Sequence, residues 1–197
     1  MILGFLVASA SHQAAWAQDT SAIVAAAREK ARKVEEVKVA LNDPDATVRL
    51  AVLEGLLMSD DGLLRDIAIE TGLASGESAL RSLAFRHAVL RRTAIQFRVS
   101  FPDNLPAEKA RKMQAKLDST SVEFQLAIKR EKVDFADGSF AHEINGGGSG
   151  TGKVSGLLIN FENIRYRGEA ELQPDNTLAG TVTISDLGPY LIHAKLF

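Results

Sequence analysis

Apolar positions along this chain follow two rhythms, and the change from one to the other comes near residue 93. From Asp43 to about Arg92 the apolar residues recur at three- and four-residue intervals, and the whole pattern returns every sixteen positions. Val48-Arg49, Leu64-Arg65 and Leu80-Arg81 head the three copies. Beyond the change, Ile95, Phe97, Val99 and Phe101 alternate with Gln96, Arg98 and Ser100. The first rhythm predicts short helices stacked on one another, and the second predicts strands. The fold class that follows is α+β: a short N-terminal helical repeat array, then a mostly antiparallel β domain forming a curled sheet, a small barrel or a sandwich.

Each helical unit has local signals that fit this reading. A leading helix is predicted over Ser21–Leu41, with Ile23, Ala27, Val34, Val37 and Leu41 as a narrow apolar stripe. Asp43, Ser59 and Ser75 stand where helix N-caps are expected, and Pro44 takes a first helical position. Asp45, Asp61 and Glu77 each precede an arginine by four residues (Arg49, Arg65 and Arg81), the spacing of pairs across one helical turn. Val52, Leu53 and Leu56 match Ala68, Ile69 and Leu73 loosely, and Ala84, Phe85 and Val89 follow the second set closely. A single helix of about twelve residues cannot bury such a stripe, so the units must stack.

The run Asp43-Pro44-Asp45-Ala46-Thr47-Val48-Arg49-Leu50-Ala51 resembles the start of a HEAT-type helix. The resemblance covers residues 37–91 and is one of architecture. It implies a contact or scaffold surface and no chemistry.

In the second half, Pro106 opens a predicted short helix to Leu117, with Ala110, Met113 and Leu117 on its apolar side. Further strands are predicted through Val122, Phe124, Leu126 and Ile128, then from Phe140 after an Asp137-Gly138 turn. One run is expected over Lys153–Glu162, and another pairs inward Tyr166, Gly168, Ala170 and Leu172 with outward Arg165, Arg167, Glu169 and Glu171. Leu178, Gly180, Val182 and Ile184 follow, then Tyr190 to Phe197 after Gly188-Pro189. The pattern gives six or seven strands. The glycine-rich stretch Gly146 to Gly152 reads as a flexible connection.

Charge and composition narrow the function. The 197 residues hold 23 basic and 25 acidic side chains, a formal charge of −2, which gives no general attraction to nucleic acid. Absence of cysteine excludes disulfides, thiolate metal sites and cysteine catalysis. His12, His87, His142 and His193 show no metal-ligand spacing, so no metal site is expected. Residues 1–17 read as a signal peptide: Met1 to Ala10 is uncharged and mostly apolar, and Ala15-Trp16-Ala17 places small residues before a cleavage point at Gln18. A periplasmic or secreted location follows, with a helical segment at 18–92 and a β domain at 93–197. No later stretch is long and apolar enough to span a membrane.

Candidate chemistry is sparse. Gly147 to Lys153 satisfies the spacing of a phosphate loop, but Val154 replaces the required hydroxyl residue and a strand follows in place of a helix. No nucleotide or other cofactor is expected. Asp137, His142 and Glu143 are the nearest approach to an acid–base cluster, yet His142 and Glu143 are neighbours in a strand and point to opposite faces. They support at most a small hydrolase as an alternative. Arg86, His87, Arg91 and Arg92 form a basic patch where the last helix meets the β domain, and Arg86 stands where earlier units carry Glu54 and Glu70. Tyr190 is the one polar aromatic placed for a binding rim. The leading expectation is an exported protein-interaction or scaffold module without catalysis, its site at the seam near Arg86 to Arg92. A carrier of a small apolar ligand inside a closed β domain is the third reading.

Overall fold

A computed structural model describes residues 10–103, 105–118, 123–144, 148–185 and 187–196, with side chains from residue 20 onward except those of 117 and 118. Helices α1 (Ala10–Leu41), α2 (Ala46–Met58), α3 (Gly62–Ala74) and α4 (Ser78–Leu90) precede a barrel of eight strands. These are β1 (Ala94–Ser100), β2 (Glu123–Val133), β3 (Ser139–Ile144), β4 (Gly148–Ser155), β5 (Leu158–Glu162), β6 (Tyr166–Leu172), β7 (Thr177–Ile184) and β8 (Leu187–Lys195). A fifth helix, α5 (Ala107–Asp118), lies between β1 and β2. The α+β architecture expected from the two rhythms is therefore present, and the sheet closes as a small antiparallel barrel.

The sixteen-residue repeat is visible in individual hydrogen bonds. The side chains of Asp43, Ser59 and Ser75 accept from the backbone N–H of Asp45, Asp61 and Glu77. Those three residues, two positions further on than expected, are the N-caps. Asp45 accepts from the N–H of Thr47, and Asp61 from those of Leu63 and Leu64. Pro44 consequently sits in the turn before α2 and not in its first turn. Short Asx and hydroxyl turns of this kind satisfy the backbone just ahead of a cap, which is why sequence spacing alone misplaced the start.

The arginines also bond differently from expectation. Arg49 donates to the carbonyl of Asp43, and Arg65 to that of Ser59 at 2.6 Å. Each arginine thus ties its helix to the turn that precedes it. Arg49 further pairs with Glu77 at 2.8 Å, which ties the first unit directly to the third. Gly72 permits the close approach of α3 and α4, since a Cβ there would lie 2.6 Å from Ala84 Cβ. Helix α1 begins at Ala10 and passes without a break through the expected cleavage point after Ala17. Residues 1–9 of the expected signal peptide lie outside the described residues.

The barrel is a meander in which every strand pairs with its neighbour in sequence and β1 closes on β8 through Arg98↔His193, Val99↔Ile192 and Ser100↔Leu191. Its inward face is apolar and its outward face charged, as Arg98, Glu143, Lys153, Glu169 and Lys195 show. This reverses the apolar-out arrangement of membrane-spanning barrels. Among the described residues no helix is long and apolar enough to cross a membrane.

Two strands replace the single run expected over Lys153–Glu162. The chain reverses at Gly156, whose φ of 59° suits glycine, so that Val154 faces Ile159 across a tight hairpin. The glycine-rich stretch is likewise a strand from Gly148 onward; Gly146 and Gly147 lie outside the described residues. Registers Ile144↔Gly148, His142↔Gly150 and Phe140↔Gly152 put the three glycines on the inner face. A Cβ at Gly152 would lie 2.3 Å from the Phe140 ring, and one at Gly168 would lie 2.4 Å from the Phe161 ring. Gly152 and Gly168 are there because rings occupy the space above them, whereas Gly148 has open space and a φ of 83° that suits glycine. Phe97 and Phe161, from nearly opposite walls, approach to 5.9 Å between centroids, and Phe124 stacks on Phe97 at 5.1 Å. These rings fill the lumen at that level.

Helix α5 covers one mouth of the barrel. Met113 is fully buried, and its carbonyl accepts from the Tyr190 hydroxyl at 3.3 Å. Tyr190 is therefore fully enclosed and not at a rim, because its ring completes the interior beside Phe101 while its hydroxyl holds the helix. Buried residues of the helices and of the barrel form one continuous core, running from Val37 to Leu196.

Candidate functional site at the seam

The last repeat unit departs from the pattern where it meets the barrel. Arg81, the counterpart of Arg49 and Arg65, donates to the carbonyl of Gln173 in the β6–β7 turn at 3.3 Å. Arg86 donates to the carbonyls of Ala136 at 2.6 Å and Phe135 at 3.3 Å, both in the β2–β3 turn. That turn is held in shape by Asp134, whose carboxylate accepts from the N–H groups of Ala136 and Asp137. Phe135 projects from it toward α4. Its ring lies 4.8 Å from that of His87, and the Arg91 guanidinium sits over it at 5.1 Å. Arg91 also donates to the carbonyl of Leu57 at the end of α2, at 2.6 Å. Arg86, His87 and Arg91 thus belong to one latch that seats the barrel on the helices.

His87 is 2% exposed, and its pKa is lowered to about 4 by burial, aided by Arg91 and Arg86. The neutral imidazole is therefore the form compatible with the latch. Because the folded value lies below the ordinary 6.5, the unfolded chain takes the proton first as pH falls. Stability contributed by His87 is complete above that ordinary value and is lost progressively down to about pH 4. Allowing for screening by neighbouring solvent, the loss should be on the order of 1–2 kcal/mol. Denaturant titrations at pH 7 and pH 5 should show this difference in the native protein and a smaller one in His87→Leu. An equal pH dependence in both would remove His87 from this role. His142, whose pKa burial also lowers, contributes equally to both proteins and cancels in the comparison.

Beside the latch lies a cleft of about 930 Å³. Its helical wall carries Arg65, Ile69 and Leu73 of α3 with Arg91 and Arg92 at the end of α4. The barrel wall supplies Arg130 of β2, Asn176 of the β6–β7 turn and Lys195 of β8. Burial holds the Arg91 and Arg92 guanidinium pKa values below their ordinary value, and at Arg91 the nearby charges of Arg65 and Arg130 act in the same direction. Three guanidinium groups from three elements therefore converge. The cleft rim carries acids as well: Asp66, Glu70 and Asp175. Of the residues expected at the seam, Arg91 and Arg92 line this cleft, whereas Arg86 and His87 lie in the adjoining latch. Arg65, expected from its spacing to pair with Asp61 across one helical turn, and Arg130 of β2 join them only in the folded chain, because no sequence spacing connects either of them to α4.

Asp137, His142 and Glu143 are not brought together. His142 points into the barrel, fully buried beside Phe140 and Phe161, with Nε2 3.2 Å from the Thr151 carbonyl oxygen. Glu143 is outside, 3.5 Å from Lys129. Asp137 is in the β2–β3 turn, where its carboxylate accepts from the Ser139 N–H and lies 3.7 Å from Lys153. Burial lowers the His142 pKa, whereas the Ser139 and Lys153 contacts hold the Asp137 carboxyl below its usual range. His193 is on the outward face of β8. Among the described residues no cluster of three potential metal ligands is present. Comparison with protein-family models, with curated proteins and with solved structures finds no match, so the HEAT-like pattern stands as a likeness in residues alone.

Proposed function

We propose that the protein is an exported interaction module that acts by binding another protein across the seam between its helices and its barrel. The observation that carries this reading is the cleft itself: a recessed surface with a partly apolar wall and several cationic groups, built jointly by both halves. Recognition surfaces form readily where two units meet, and the latch of Arg86, Phe135 and Arg91 fixes the two walls relative to each other. Export rests on residues 1–17. The hydrolase alternative finds its three groups on different faces, and the carrier alternative finds aromatic rings where a ligand would sit.

Affinity capture with the full chain, followed by reconstitution with the purified captured protein, tests the proposal. Saturable binding is expected, with slowed amide hydrogen exchange in α3, at the end of α4 and in the β6–β7 turn. A footprint elsewhere, or turnover of a small substrate with no saturable protein partner, would overturn it.

A further inference from the structure

The geometry points to an acidic segment of the partner as the cleft's occupant, one that places an apolar side chain between its carboxylates; this rests on the interaction reading above. Arg65, Arg91 and Arg130 reach the cleft from α3, the end of α4 and β2. Among the described residues, no carboxylate lies within ion-pair distance of any of the three. Arg65 and Arg91 each donate to one backbone carbonyl, and the Arg91 Nε–H is buried with no acceptor. A guanidinium offers five N–H donors in a fork that suits a carboxylate; the Arg91 Nε–H is enclosed by the latch, so the capacity open to a ligand is the remaining N–H groups of Arg65, Arg91 and Arg130 on the cleft side. Arginines at a helix C-terminus do complement its dipole, which accounts for Arg91 and Arg92. That effect does not account for Arg65 and Arg130, whose charges raise the cost of placing Arg91 there.

The remaining lining selects among anions. Ile69 and Leu73 give the cleft an apolar wall, where an aliphatic side chain can leave water. Asp66, Glu70 and Asp175 at the rim repel any continuous run of anionic charge, such as a phosphate backbone, and so favour a segment whose carboxylates are spaced apart, while they accept hydrogen bonds from peptide N–H groups. Among the described residues no exposed aromatic rings line the cleft as a stacking platform of the kind single-stranded nucleic acid would use. The cations span four separate elements, more than one small inorganic anion can engage.

Fluorescence anisotropy with the full chain and a labelled peptide alternating Glu and Leu tests the inference. Saturable binding is expected, at least about tenfold weaker in Arg130→Glu and similarly weakened by raised salt, because a charged contact that closes the cleft is being reversed or screened. Arg130 is exposed and has no ion pair among the described residues, so its reversal leaves the fold intact. Arg65→Gln gives a second variant and should weaken binding in the same direction. A peptide alternating Lys and Leu should not bind. Failure of the acidic peptide to bind, indifference to Arg130→Glu, or complete displacement by millimolar pyrophosphate would overturn the inference. If the peptide fails while the reconstituted partner still protects the seam, the occupant is not acidic and the interaction reading survives.

Discussion

Gly150→Val should lower the stability of the barrel by about 3 kcal/mol or more, at the upper end of what overpacking a core costs. A Cβ at this position would lie 2.1 Å from the carbonyl oxygen of Glu162 and 2.7 Å from both Asn163 Cβ and His142 Cε1. The first neighbour is backbone and cannot rotate away. The second sits at the β5–β6 turn, where the Asn163 side chain accepts from the N–H groups of Arg165 and Tyr166. The third is buried within the lumen. Relief therefore demands that β4 separate from β5, or that His142 be displaced against Phe161. In a protein of this size the expected loss lowers the melting temperature by roughly 6–12 °C. A melting curve within about 2 °C of the native one would show that the inner face of β4 is less filled than the contacts require.

Phe161→Ala should cost about 3–5 kcal/mol, because it removes a fully buried ring that touches several others. Phe161 lies 5.9 Å from both Phe97 and Phe124 and meets His142 edge-on at 6.2 Å. Its removal opens an apolar space bounded by those rings and by Gly168, which has no side chain to fall into it. Apolar cavities of this type stay dry and accept small apolar molecules. Benzene or indole should therefore raise the melting temperature of Phe161→Ala and leave that of the native protein unchanged. If the native protein responded equally, its lumen would already hold space for a ligand, and the carrier reading would displace the one proposed here.

Much of this fold was legible in the sequence because burial imposes period on it. Ile95, Phe97 and Val99, and later Tyr166, Ala170 and Leu172, alternate cleanly and lie on the inner face of the barrel. The glycines of β4 were misleading for a physical reason. An inner position filled by a ring from the neighbouring strand calls for glycine, and glycine carries no apolar signal of its own. The hairpin at Gly156 was lost for a related reason, since Leu157, Ile159 and Phe161 continue an alternation across the turn. Helix starts were off by two because three side chains cap the turns and not the helices.

The candidate site was legible only along α4. Arg86, His87, Arg91 and Arg92 are close in sequence, so their common location could be read directly. Their chief role was not visible, because it depends on Phe135, a ring at the tip of a distant hairpin. Tyr190 was misplaced because a tyrosine after a Gly-Pro turn looks exposed until α5 is laid across it. Convergence of Arg65 and Arg130 on Arg91 is a property of the assembled seam and has no local signature.

The hydrogen bond from Arg81 to Gln173 bears on how this architecture can change in length. A pile of like units has no intrinsic end; something must terminate it, and here the barrel is the end-plate. Duplicating the segment 46–61 would push α1 outward by one layer while leaving α4 on its seat. An insertion between α4 and β1 would instead pull the end-plate off, exposing His87 and Phe135 to water. Elongation in this protein is thus open on one side and shut on the other.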